Sequence, residues 1–143
     1  MSRDGSIELD WGDDRHRFRL GIGELRELQE AINQPRAKIG APLVGPGTLW
    51  RSLQTYDAWK DDVRAIIRLG LIGGGMKPLD ALGLVRRYVD ERPLAESSVH
   101  AIAILGAALF GPADEPIEGK EEAAETTTTT GSASLPSTET EPS

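Results

Sequence analysis

Cysteine is absent from the 143 residues, which excludes a disulfide framework and a thiolate metal site. Histidine is scarce: His16 and His100 are the only two, and neither belongs to a His-x-x-x-His pair or has a ligand-like acid nearby. No metal centre is therefore expected. Long apolar runs are missing as well. The longest, Ala101 to Phe110, is too short to cross a bilayer, and the first residues, Met1 to Ser6, contain no apolar h-region. The expectation is a soluble, cytoplasmic protein with no membrane partner. A Gly-x-Ser-x-Gly elbow is absent, and Ser97 and Ser98 lie in a helical pattern with no recognisable base. The acidic pairs Asp13-Asp14 and Asp61-Asp62 fit a turn and a helix start. Neither enzymatic activity nor a cofactor is expected.

What the chain does have is charge, unevenly placed. The net charge of −7 belongs to residues 111–143, where eight acids face Lys120 alone, leaving 15 acids and 15 bases in residues 1–110. A neutral body and an acidic end lack the basic footprint that phosphate contacts need, so no nucleic-acid partner is expected. After Gly111 the sequence loses aromatics and helical periodicity and becomes rich in Thr, Ser, Glu and Pro, with a run at Thr126 to Thr130. Such a segment cannot bury enough apolar surface to offset the entropy of ordering. The division is thus 1–111, a hairpin plus helical domain, and 112–143, a disordered acidic tail.

The most informative segment is Arg68-Leu-Gly-Leu-Ile-Gly-Gly-Gly-Met76. Trp59, Val63, Ile66, Ile67, Leu69 and Leu71 recur at spacings of three and four, predicting a helix that the glycines Gly73, Gly74 and Gly75 then end. Lys77-Pro78 restarts a helix with proline in its first turn. A phosphate loop would follow a strand and end in Gly-Lys-Ser/Thr, and this run does neither. The three glycines are read as a structural hinge, and Gly74→Val is expected to cost about 1 kcal/mol or more if the φ of Gly74 is positive.

Around that corner, Ile7-Glu-Leu-Asp-Trp11 and Arg15-His-Arg-Phe-Arg-Leu20 alternate on either side of a Gly12-Asp13-Asp14 turn. They predict a β-hairpin with Ile7, Leu9, Trp11, Phe18 and Leu20 on one face and opposed charges on the other. A first helix is predicted over about Ile22 to Asn33, then a proline-rich loop from Asn33 to Gly47. Thr48 is expected to cap a short helix, and Asp57 to open the next. A fourth helix is predicted over Pro78 to Val89 with Leu79, Leu82, Val85 and Val89 inward. The last, about Leu94 to Phe110, is apolar on nearly every side and is expected to be central, with self-association as the second choice. The fold class is α+β, mainly α: an N-terminal β-hairpin packed on a bundle of about five helices.

The glycine corner carries a resemblance, together with Ala81-Leu-Gly-Leu-Val-Arg-Arg-Tyr-Val-Asp-Glu-Arg-Pro-Leu-Ala-Glu96 and Ala101-Ile-Ala-Ile-Leu-Gly-Ala-Ala-Leu-Phe-Gly111. From about Gly5 to Gly111 the chain resembles the gene transfer agent type of phage tail assembly chaperone, a small, mostly helical, non-enzymatic family. The loop from Asn33 to Gly47 and the segment after Gly111 depart from that pattern. The resemblance implies a protein that binds the tape measure protein and the tail tube protein during assembly and is absent from the mature particle. The competing readings are a structural tail component, tube or connector, retained in the particle, and a small helix-turn-helix DNA-binding protein. Against the DNA reading, Arg86 and Arg87 stand late on their helix and are followed by Asp90 and Glu91. Trp50, Tyr56 and Trp59 occur at helical spacing, as core residues do. With Arg86 and Arg87 they are also the partner-binding candidates.

Overall fold

A computed structural model describes residues 3–111. The expectation of a disordered acidic tail falls on residues outside this range. The chain opens with the antiparallel strands β1 (Ser6–Trp11) and β2 (Asp14–Arg19), followed by α1 (Ile22–Lys38), α2 (Pro46–Gln54), α3 (Lys60–Gly73), α4 (Pro78–Val85) and α5 (Leu94–Phe110). A single π-helical turn, Arg86–Asp90, extends α4. The predicted fold class, a hairpin followed by five helices, is observed.

The hairpin register pairs Ile7 with Phe18, Leu9 with His16 and Trp11 with Asp14, so the loop is only Gly12-Asp13. Gly12 has φ of +67°, which suits a tight two-residue turn. The apolar face buries Trp11 and Phe18. On the other face Arg15 reaches Asp10 and Glu8, and Arg17 reaches Asp4.

The core forms around α3 and α5. Val63, Ile66, Ile67, Leu69 and Leu71 of α3 and Ala101, Ile104 and Leu105 of α5 are fully enclosed. α3 packs against α1, α4, α5 and β2, while α5 also packs on α2 and β1. The expectation of a central last helix is met because its small residues let neighbours approach. Gly106 in particular leaves room for the Trp50 indole, whose Nε1 lies 3.1 Å from where a Cβ would stand.

Several boundaries differ from the sequence reading. The first helix does not stop at Asn33 but continues through Pro35 to Lys38. A proline inside a helix loses one hydrogen bond and crowds the carbonyl four residues back. The extra turn carries Arg36, only 5% exposed, to a bidentate pair with the fully buried Asp62, both bonds 2.7 Å. The same guanidinium donates to the Ile32 carbonyl and lies 4.2 Å from the centre of the Trp59 ring. Asn33 pins the loop that follows by bonding both the N–H and the carbonyl of Val44.

Thr48 does not cap α2, which begins two residues earlier, with Gly45 as N-cap and Pro46 pre-set for the first turn. α3 begins at Lys60 rather than near Asp57. The Asp62 carboxylate accepts the Trp59 N–H at 2.8 Å, so this acid closes the helix start as well as holding Arg36. Asp61-Asp62 is therefore more than a favourable charge at a helix start.

α4 ends at Val85 and widens into the π turn rather than running regularly to Val89. The wider turn brings Tyr88 against Trp11 and Asp90 to Arg64. Leu79, expected inward, is 81% exposed because it lies in the first turn, and Ala81 takes the buried place.

The glycine corner closes α3 through a double bond: the Gly75 N–H reaches the Ile72 carbonyl and the Met76 N–H that of Leu71. Only Gly75 has positive φ, +115°; Gly74 has φ of −80°. Gly73 and Gly74 are required for another reason. A Cβ on either would stand 1.9 Å from a β2 carbonyl oxygen, that of Arg19 or Arg17 respectively. The corner is a close helix-to-strand contact, with a left-handed residue only at its third glycine.

Candidate assembly surfaces

A cleft of about 580 Å³ opens between the hairpin turn, the π turn and the first half of α5. Its floor is aromatic, with Trp11 and Tyr88 edge to face at 5.6 Å. Its charged walls are largely paired already. Arg15 bonds Asp10 at 3.2 Å, and that bond, with a second to Glu8, holds its guanidinium above the usual arginine range. Arg92 reaches Glu96 at 3.5 Å.

The Ser97 hydroxyl accepts from Trp11 Nε1 and donates to the Tyr88 carbonyl, so it is bonded to two neighbours rather than to a base. His100 sets one ring nitrogen against the Glu96 carbonyl and the other against that of Asp10, at 3.0 and 2.9 Å. These groups fasten the hairpin tip to α5. His16 lies on the apolar face beside Trp11 and Phe18, with Asp13 Oδ1 3.8 Å from its Nε2. Its Nε2 has no hydrogen-bond partner.

Among the described residues, no group of three or more His, Cys, Asp or Glu could hold a metal ion, and no helix is long and apolar enough to cross a membrane.

The five partner-binding candidates are not gathered into one patch. Trp50 is half-buried: Nε1 donates to the Ile102 carbonyl at 3.2 Å, and the ring meets Phe110 edge-on at 5.0 Å. Trp59 is half-buried beneath Arg36. Tyr56 stands apart at the α2–α3 corner, 70% exposed. Arg86 and Arg87 are exposed on the π turn, and neither has an ion pair among the described residues.

Asp90, the acid nearest them on that turn, is held by Arg64 Nε at 2.6 Å, while Lys60 Nζ bonds its carbonyl. The sequence reading missed the Arg36–Asp62 pair, because nothing local links residues on two separate helices. The proline inside α1 gave a misleading stop signal.

The body is mainly helical, and the polar groups of its cleft bond largely to one another. A family model described as phage tail tube protein, GTA-gp10, matches residues 4–111, and the chain belongs to that family. No curated protein and no solved structure matches it.

The gene transfer agent and phage tail relationship read from the glycine corner stands. Two expectations built on it do not. The assembly chaperone role is overturned by the family's description as a tail tube protein, as is the expected absence from the mature particle. The helical pattern that carried the resemblance points to the family and not to the role, since a fold does not by itself fix a function.

Proposed function

We propose that the chain is a non-enzymatic structural subunit of the tail tube of a phage-like particle or gene transfer agent. The observation that carries this reading is the family match, which spans residues 4–111 and so takes in the hairpin and every described helix. Its partners in this reading are other copies of the same chain and the tape measure protein.

The physical character of the body supports it. Fifteen acids balance fifteen bases in residues 1–110, so identical subunits can be brought together without a large net repulsion between bodies. Exposed apolar side chains, Ile39, Leu43, Leu79, Val99 and Phe110 among them, offer contact area outside the core. The test is the protein content of purified particles. Mass spectrometry should find the chain there as a multi-copy component together with other tail proteins. Finding it in the producing cells but not in the particles would overturn the reading.

A further inference from the structure

Tyr56 is the one described non-glycine residue with positive φ, +60°. It occupies the left-handed position that ends α2: its N–H reaches the Leu53 carbonyl, and the Asp57 N–H reaches that of Ser52 at 2.8 Å. The same pair of bonds closes α1 over Gly40 and α3 over Gly75, both with positive φ. Glycine takes this conformation without steric cost, whereas a bulky side chain resists it. The strain brings no visible return inside the subunit. The ring is 70% exposed and makes no hydrogen bond or ring contact among the described residues.

Such a residue points to a contact outside its own chain. Two acids flank it. Asp57 accepts the Thr55 hydroxyl on one oxygen and keeps the other free, and Asp61 is exposed without an ion pair among the described residues. Arg86 and Arg87 supply the complementary chemistry: neither has an ion pair among the described residues, Asp90 of the same turn is already held by Arg64, and Arg87 has the Tyr88 ring beside it, 5.9 Å from its centre. Within one subunit no ion pair joins the two groups.

We propose that Tyr56, Asp57 and Asp61 of one copy dock on Arg86 and Arg87 of a second copy, the guanidinium planes stacking on the tyrosine ring and pairing with the carboxylates. The contact joins unlike patches and can therefore repeat from copy to copy. It rests on the tube reading and supplies that reading with a subunit contact.

The absence of cysteine makes the test direct. Full-length Gln54→Cys and Glu91→Cys chains, changed at exposed positions beside the docking residues and not at them, are produced singly or together in cells that assemble the particle. Particles are then oxidised, and proteins are resolved without reductant. A disulfide-linked dimer should form in the mixture, exceeding that from either variant alone by about ten-fold or more, because docking raises the effective concentration of the two thiols. No such excess, in particles that contain the protein, overturns the contact and leaves the tube reading standing. Absence of the chain from particles overturns the tube reading itself.

A second variant separates docking from folding. Tyr56→Gly should leave the Tm unchanged or raise it by about 3–5 °C while particle assembly falls. A lower Tm would show that the ring serves the fold, and unchanged assembly would show that it serves no contact; either result overturns the proposal.

Discussion

Gly73 and Gly74 show how little a residue's own backbone angles reveal of why it is there. Gly75 alone has the left-handed φ, yet it is the glycine with open space around its missing Cβ. The other two lie against β2 carbonyls. Gly73→Ala and Gly74→Ala should each destabilise by about 2–3 kcal/mol, since a methyl group there must push the strand off the helix. Gly75→Ala should cost about 1 kcal/mol, from the backbone alone. Urea denaturation of the three variants tests that order, and a larger loss at Gly75 than at Gly74 would contradict the geometry. The φ of Gly74 is negative, so the condition attached to Gly74→Val is not met and any cost there comes from the strand it touches. The run of three glycines announced a helix end in the sequence; which two met a strand, and which one turned left-handed, depended on where the hairpin came to rest.

Helices α1 and α3 are joined by an interaction that local sequence signals argued against. Pro35 reads as a helix stop, but the helix runs through it and delivers Arg36 to Asp62. Pro35→Ala should therefore stabilise the protein by about 1 kcal/mol or more, by restoring a helical N–H and relieving the crowding around the ring. If α1 really ended at Asn33, the same change would do nothing or destabilise, and thermal unfolding distinguishes these outcomes.

The ion pair itself is buried, so removing one partner strands the other. Arg36→Met and Asp62→Leu should each cost about 3–5 kcal/mol singly, and the double variant less than the sum of the two. The Asp62 hydrogen bond raises the Arg36 guanidinium above its ordinary arginine range, outweighing the effect of burial. A cation raised in the folded state contributes fully below its unfolded value and is lost only as pH rises through the folded one. The part of the stability due to Arg36 should stay constant from about pH 6 to about pH 10. With Arg36→Met and Asp62→Leu combined, so that no buried carboxylate is left unpaired, a wild-type minus double-variant difference that varied across that window would refute it.

At the scale of the whole molecule, the proposed function rests on surfaces whose arrangement is only partly legible in the sequence. Two predictions belong here: the chain is retained in purified particles as a repeated subunit, and Tyr56 of one copy meets Arg87 of another. Trp50, Tyr56 and Trp59 are close in sequence and suggested one aromatic cluster, but the fold sends them to three environments. Trp50 lies on α5, Trp59 under Arg36, and Tyr56 in solvent. Arg86 and Arg87 precede Asp90 and Glu91 in the sequence, and only the fold shows that Asp90 is held by Arg64 while Arg87 lies 5.9 Å from the centre of the Tyr88 ring.

The hairpin, the number of helices and the glycine corner were legible because each follows from alternation, three-to-four spacing or a helix-ending residue, all of which act over neighbouring positions. The sequence by itself also determined the neutral charge of residues 1–110 and the lack of cysteine. Only the tertiary structure decided that α1 passes its proline, that α4 opens into a π turn, that Leu79 faces outward, and which glycines touch a strand. Those outcomes turn on contacts between residues distant along the chain, where a buried ion pair or a packed carbonyl outweighs a local preference of about 1 to 3 kcal/mol.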